Sequence, residues 1–153
     1  MRYRLAVIMI AAALLASGCI CRGPEAGNNV DMAPIDEALV NGPVFIEFGA
    51  TWCSWCAVQA PIIEELKAEY PNVTFMYVDI DQNGALADAF YVSSVPWMVV
   101  IVNKTGNGSY SYADASGQIS ESRASSAIVG YHEKPVLKKA LDAAVQEPVS
   151  ENF

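Results

Sequence analysis

Two thiols three residues apart, in Trp52-Cys53-Ser54-Trp55-Cys56, carry the most legible chemistry of this chain. They follow an apolar run, Val44-Phe45-Ile46-Glu47-Phe48, that reads as a strand, and a helical pattern follows them. A strand ending at such a pair puts the first sulfur at a helix N-terminus, where unpaired amides and the helix dipole favour a thiolate. The second sulfur lies about one helical turn further on, near enough to close a disulfide. This is the arrangement of a reversible dithiol–disulfide couple. The same spacing is also half of a zinc site, so the pair alone leaves both readings open. Cys19 and Cys21 would complete four thiolates through a flexible linker, but nothing else in the sequence encourages such a site, and no metal is expected.

The elements that must position the pair follow from local pattern. Residues 33–40 read as a short helix with Pro34 in its first turn and Gly42 as a stop. Residues 43–48 form a buried strand, apolar except for Glu47, and residues 53–70 a long helix. Pro61 is expected to kink that helix, and Ile62, Ile63 and Leu66 to face the core. A strand over 73–79, a helix over 85–90 with Leu86 inward, and a nearly all-apolar strand over 97–102 come next. An edge strand over 127–131 precedes a closing helix over 134–145, with Val136, Leu137, Leu141 and Val145 on one face.

Taken together, roughly residues 43–145 resemble thioredoxins. The resemblance is carried by the apolar strand with its acid, by Trp52-Cys53-Ser54-Trp55-Cys56, and by Pro61 five residues past the second cysteine. It is carried further by the acidic end of the next strand, Asp79-Ile80-Asp81, by Ser93-Ser94-Val95-Pro96, and by Gly130 before the last helix. It implies an α/β thioredoxin-like fold, a central mixed β-sheet flanked by helices, and a thiol–disulfide oxidoreductase. Cys53 is then the nucleophile, Cys56 the resolving thiol, and Cys53–Cys56 the disulfide of the oxidised state. Val95–Pro96 is implied to be a cis peptide packed beside that disulfide, with the Val95 backbone free to pair with a substrate strand.

Glu47 admits two readings. Strand alternation would let it face solvent. The resemblance instead places it where thioredoxins bury an aspartate under the second cysteine, as a proton relay with a raised pKa. The lysine that family members often set on the neighbouring strand is replaced by Tyr77, so a poorly compensated carboxyl is expected. Trp52 and Trp55 flank the cysteines in loops that are normally exposed, and with Val95 and Pro96 they are the expected substrate-binding residues. An exposed aromatic rim suits a peptide-like partner. The expected partners are therefore protein or peptide thiols and disulfides, with another thiol protein as electron donor or acceptor. No diffusible cofactor is implied. The lone histidine, His132, is not between the cysteines, which favours a reductase over an oxidase or isomerase. The alternative from another class is a non-catalytic binding module in which Cys53–Cys56 is a fixed disulfide or metal clip.

The remaining segments bear on location. Residues 1–18 have the plan of a signal peptide: basic Arg2 and Arg4, a twelve-residue apolar run, then Ser17-Gly18 before Cys19. A cut after Gly18 leaves Cys19 first, as in prokaryotic lipoproteins, where that cysteine is lipidated. An ordinary cut and an uncleaved anchor are the other readings. All three place the domain outside the cytoplasm, in a space where disulfides persist, and the expected location is the cell envelope of a prokaryote. Residues 19–31 read as a tether, 32–147 as the domain, and 148–153 as a loose tail. The net charge of −8 and the lack of a basic patch argue against nucleic acid as a partner. Residues 103–125, rich in Gly, Ser, Asn and Tyr, exceed a minimal thioredoxin and are expected to form a surface hairpin or loop.

Overall fold

The computed structural model describes residues 30–147. The signal-peptide segment 1–18, Cys19 and Cys21, the tether up to residue 29 and the tail 148–153 lie outside the described residues.

The strand β1 (Val44–Gly49) is buried at all six positions, because it runs through the middle of the sheet and both its faces are covered. It pairs in parallel with β2 (Thr74–Asp79) on one side and antiparallel with β3 (Trp97–Lys104) on the other. Beyond β3 lie β4 (Tyr110–Ala113) and β5 (Ile119–Ser120), in the order β2-β1-β3-β4-β5, so the sheet is mixed. The short strand β6 (Ile128–Val129) also pairs with β3.

Alternation along β1 and β3 sends side chains to two separate cores. Phe45, Met98 and Val100 meet Ile63 and Leu66 of α2 (Ser54–Glu69) and Leu137 and Leu141 of α5 (Lys134–Gln146). Ile46, Phe48, Val99 and Ile101 meet Ile35 of α1 (Ala33–Leu39) and Ala87 of α3 (Gly84–Ala89) on the other face. Glu47 shares parity with Phe45 and is therefore aimed at the α2 side. The inner face of α5 is Leu137, Ala140, Leu141 and Ala144, whereas Val145 is exposed and Val136 only partly covered. The expected face was rotated: the 137-140-141-144 spacing is the stripe a helix presents to a core.

The region expected as a surface hairpin over 103–125 is different in kind. All four residues of β4 are buried and belong to the sheet. Val100 stands opposite Ala113 and Met98 opposite Ile128. Had β4 run on without interruption, Ala115 would face Met98, so thirteen residues (128 − 115) are looped out of one strand position. That excursion carries β5 and the single-turn helix α4 (Arg123–Ser126), and β6 resumes the interrupted strand. It is fastened rather than loose. Arg123 donates from Nε to the Tyr112 hydroxyl at 2.8 Å and from Nη1 to the Ala89 carbonyl. Its guanidinium lies 4.5 Å over the Phe90 ring.

Candidate active site

β1 ends at Gly49, and Ala50-Thr51-Trp52 turn the chain into α2 with Cys53 as its N-cap. Cys53 and Cys56 are joined by a disulfide whose Cα atoms are 5.3 Å apart. The Cys53 sulfur also accepts the Cys56 backbone N–H at 3.0 Å. That bond satisfies one of the free amides at the start of the helix. Exposure hardly separates the two cysteines, at 8% and 6%. What separates them is this helix-end hydrogen bond to Cys53, which would favour negative charge on that sulfur.

The disulfide packs against Ala50, with Ile80 and Val95 partly covering it. Val95–Pro96 is a cis peptide and Pro96 is buried. Among the described residues none hydrogen-bonds the Val95 backbone amide or carbonyl. The Pro96 carbonyl accepts the Gly130 N–H at 2.8 Å, and Gly130 takes φ +85°, the left-handed region that favours glycine. Two neighbours hold that loop to α2. The fully buried Gln59 accepts the His132 backbone N–H at 2.8 Å, and Trp55 tilts against Tyr131 with ring centroids 5.8 Å apart.

Trp52 and Trp55 are both exposed, at 64% and 59%, whereas Trp97 is buried in the core. Trp52 is nonetheless fixed, because its indole N–H donates to Asp81 at 2.8 Å. His132 lies off the disulfide, its ring Nε2 within 3.1 Å of the Val129 carbonyl.

Glu47 is buried at 5% exposure, and its Oε1 has no hydrogen-bond partner. Burial pushes its pKa up from 4.5 to about 7, while the charge of Lys67 pulls it part of the way back. The Tyr77 ring lies against Gly49, where any Cβ would come within 2.7 Å of it. A cavity of about 330 Å³ connects these groups; Glu47, Cys56, Ile63, Lys67, Phe75 and Tyr77 are among its walls. The structure thus brings together Cys53, Cys56, Val95 and Pro96, with Glu47 behind Cys56 and the two tryptophans outside. Gln59, Lys67, Asp81 and Tyr131 also belong to this neighbourhood. Helical spacing is the signal for two of them: Gln59 and Lys67 fall 3 (59 − 56) and 11 (67 − 56) residues after Cys56, on the same face of the helix.

The thioredoxin family model matches residues 30–128. The thioredoxin of Chlamydia pneumoniae is 39% identical over 72 residues, which span 47% of this chain and 69% of that protein. The thioredoxin of Chlamydia trachomatis serovar D is 39% identical over 64 residues, spanning 42% of this chain and 63% of its own length. Among solved structures, Trichomonas vaginalis thioredoxin is 31% identical and superposes with a TM-score of 0.53 over 74% of this chain and 86% of its own.

Proposed function

Since this chain belongs to the thioredoxin family, we propose that it is an exported thiol–disulfide oxidoreductase that reduces disulfides of protein or peptide partners. Family membership together with the Cys53–Cys56 pair supports thiol–disulfide oxidoreductase chemistry in general. The observation that carries the reading further is the disulfide at the N-terminus of α2, with Cys53 as N-cap and the buried Glu47 behind Cys56.

In the reduced protein the Cys53 thiolate attacks one sulfur of a partner disulfide. A mixed disulfide forms, and the partner's other sulfur leaves as a thiolate that takes up a proton. Glu47 accepts the proton of the Cys56 thiol. The resulting Cys56 thiolate attacks the Cys53 sulfur, closing Cys53–Cys56 and expelling the second partner sulfur. Two electrons and two protons pass from the dithiol to the partner. Trp52, Trp55 and the free backbone of Val95 form the surface on which a peptide segment docks. Export rests on the basic and apolar residues of segment 1–18, and lipidation on Cys19 directly after Gly18.

The two-electron reduction potential tests the reading. Equilibration with a glutathione or dithiothreitol buffer should give a value within about −120 to −270 mV, the range of catalytic dithiols. A value below about −300 mV would mark Cys53–Cys56 as a static structural bond and this domain as a binding module. For export, the intact mass of protein purified from the envelope should correspond to a chain beginning at Cys19. A mass retaining Met1 would leave an uncleaved anchor as the better account.

A further inference from the structure

Gln59 stands on the buried face of α2 with Cys56, Ile63 and Leu66, and it is the one strongly polar side chain there. It is fully buried, yet only half of its amide is used. Oε1 accepts the His132 backbone N–H at 2.8 Å, and Nε2 has no partner. An apolar side chain of the same length would fill this position without stranding a donor, so packing alone does not account for a glutamine here. The segment it reaches is held at three successive residues, each to a different part of the site. The Gly130 N–H donates to the Pro96 carbonyl at 2.8 Å, the Tyr131 ring tilts against Trp55 with centroids 5.8 Å apart, and the His132 N–H donates to Gln59. Both rings of the Trp55–Tyr131 pair are exposed, so water competes for that contact and the side chains can turn away from it. The Gln59 bond lies beneath them on a side chain closed to solvent, where a hydrogen bond to the backbone is stronger.

We propose that Gln59 is a positioning residue for partner binding: its buried amide holds the Gly130–His132 segment against α2 and so fixes the exposed Trp55–Tyr131 face on which a peptide partner lies beside the disulfide. The inference rests on the reading of this protein as a thiol–disulfide oxidoreductase of peptide partners, and it names a residue beneath the docking surface that keeps that surface in shape. Gln59 is itself out of a partner's reach. Its effect passes through the His132 backbone to the adjoining Tyr131, and from Tyr131 to Trp55 between the two cysteines. A small disulfide meets only the sulfurs and makes no use of that face. A peptide disulfide brings flanking chain across it, and a face that must first be ordered binds that chain less well. Loss of the anchor therefore falls on peptide disulfides and spares small ones, which a general weakening of the fold would not do.

The test compares two substrates of the full chain, reduced beforehand and freed of reductant. One is a synthetic peptide closed by a single disulfide, with leucine and phenylalanine beside its cysteines; the other is hydroxyethyl disulfide. Second-order rate constants come from acid quenching and alkylation of the remaining thiols. Gln59→Met keeps the length of the side chain and loses the acceptor. It should slow the peptide reaction about threefold or more and leave the hydroxyethyl disulfide reaction within about twofold of wild type. Gln59→Leu, a second apolar replacement, should behave alike. Tyr131→Ala should also slow the peptide reaction, and adding Gln59→Met to it should slow it no further, because both act through one face. Peptide rates equal to wild type in both Gln59 variants, equal losses with the two substrates, or losses that simply multiply in the double variant would each overturn the role of Gln59 and leave the oxidoreductase reading standing. A wild-type protein that reduces neither substrate would remove that reading, and the role of Gln59 with it.

Discussion

Two regions of the sheet, the β4 side and the disulfide end of β1, treat their buried polar groups in opposite ways. At the edge built from β4 and the looped-out excursion, every prominent one has a partner. The Tyr112 hydroxyl receives Arg123, Tyr110 donates to Asp36 at 2.6 Å, and the Asn103 side-chain oxygen Oδ1 accepts from the Ser111 hydroxyl at 2.7 Å. At the disulfide end, Glu47 sits 5% exposed with an oxygen unpartnered. A buried acid left unpaired costs stability that the paired edge does not forfeit. Violations of this kind concentrate where a protein does chemistry. The edge is built for stability, and the disulfide end trades some stability for a group that can change its charge.

That contrast can be broken at the edge first. Arg123→Ala removes two hydrogen bonds and a ring stack, and strands the nearly inaccessible Tyr112 hydroxyl. It should cost about 2–4 kcal/mol of folding free energy by chemical denaturation. The reduction potential of Cys53–Cys56 should not move. A shifted potential with unchanged stability would reverse the roles assigned to the two ends.

At the disulfide end the expected effect is similar or slightly smaller, and it depends on pH. Glu47 binds its proton up to about pH 7 in the folded protein but only up to 4.5 as an ordinary glutamate. Between those values the unfolded chain has lost the proton and the folded chain has not. Stability from this group is therefore full below about 4.5, falls as pH rises, and is lost above about 7. The total is up to about 3 kcal/mol. Denaturation of oxidised wild type and Glu47→Gln at about pH 5 and 8 isolates it, since other groups titrate alike in both. The wild type should lose stability relative to the variant on going to pH 8. Parallel behaviour of the two proteins would mean that Glu47 is not held protonated by burial.

The smallest effect belongs to Trp52. Its bond to Asp81 is exposed, so Trp52→Phe should change stability by less than about 1 kcal/mol while slowing exchange with protein disulfides. An unchanged exchange rate would take Trp52 out of the docking surface.

Much of this arrangement is legible in the sequence, for identifiable reasons. β1, α2 and β3 announce themselves because an apolar run, a C-x-x-C and a second apolar run leave little freedom of register. The exposure of Trp52 and Trp55 follows from their place at a helix start. The Tyr110–Ala113 strand is hidden by its composition: Ser111 and two tyrosines between glycine-rich turns resemble a loop. Their hydroxyls are satisfied in the fold by Asn103 and Arg123, 8 and 11 residues away, and by Asp36, 74 residues away. Lys67 is hidden for the opposite reason. A lysine among glutamates on a helix reads as a solvated face, and only the packing of α2 over β1 and β2 reveals that it borders the cavity above Glu47. Alternation alone left the direction of Glu47 open, and the coverage of β1 on both faces closes that question.

The central claim is that Cys53 attacks and Cys56 resolves, and trapping tests it most directly. With Cys56→Ser expressed in the native host, acid quenching and non-reducing gels should show partners accumulating as covalent adducts that a reductant reverses. Cys53→Ser should accumulate none, since the remaining thiol lacks the helix-end stabilisation. If Cys56→Ser traps nothing while the wild-type protein reduces disulfides normally, the division of labour between the two cysteines is wrong.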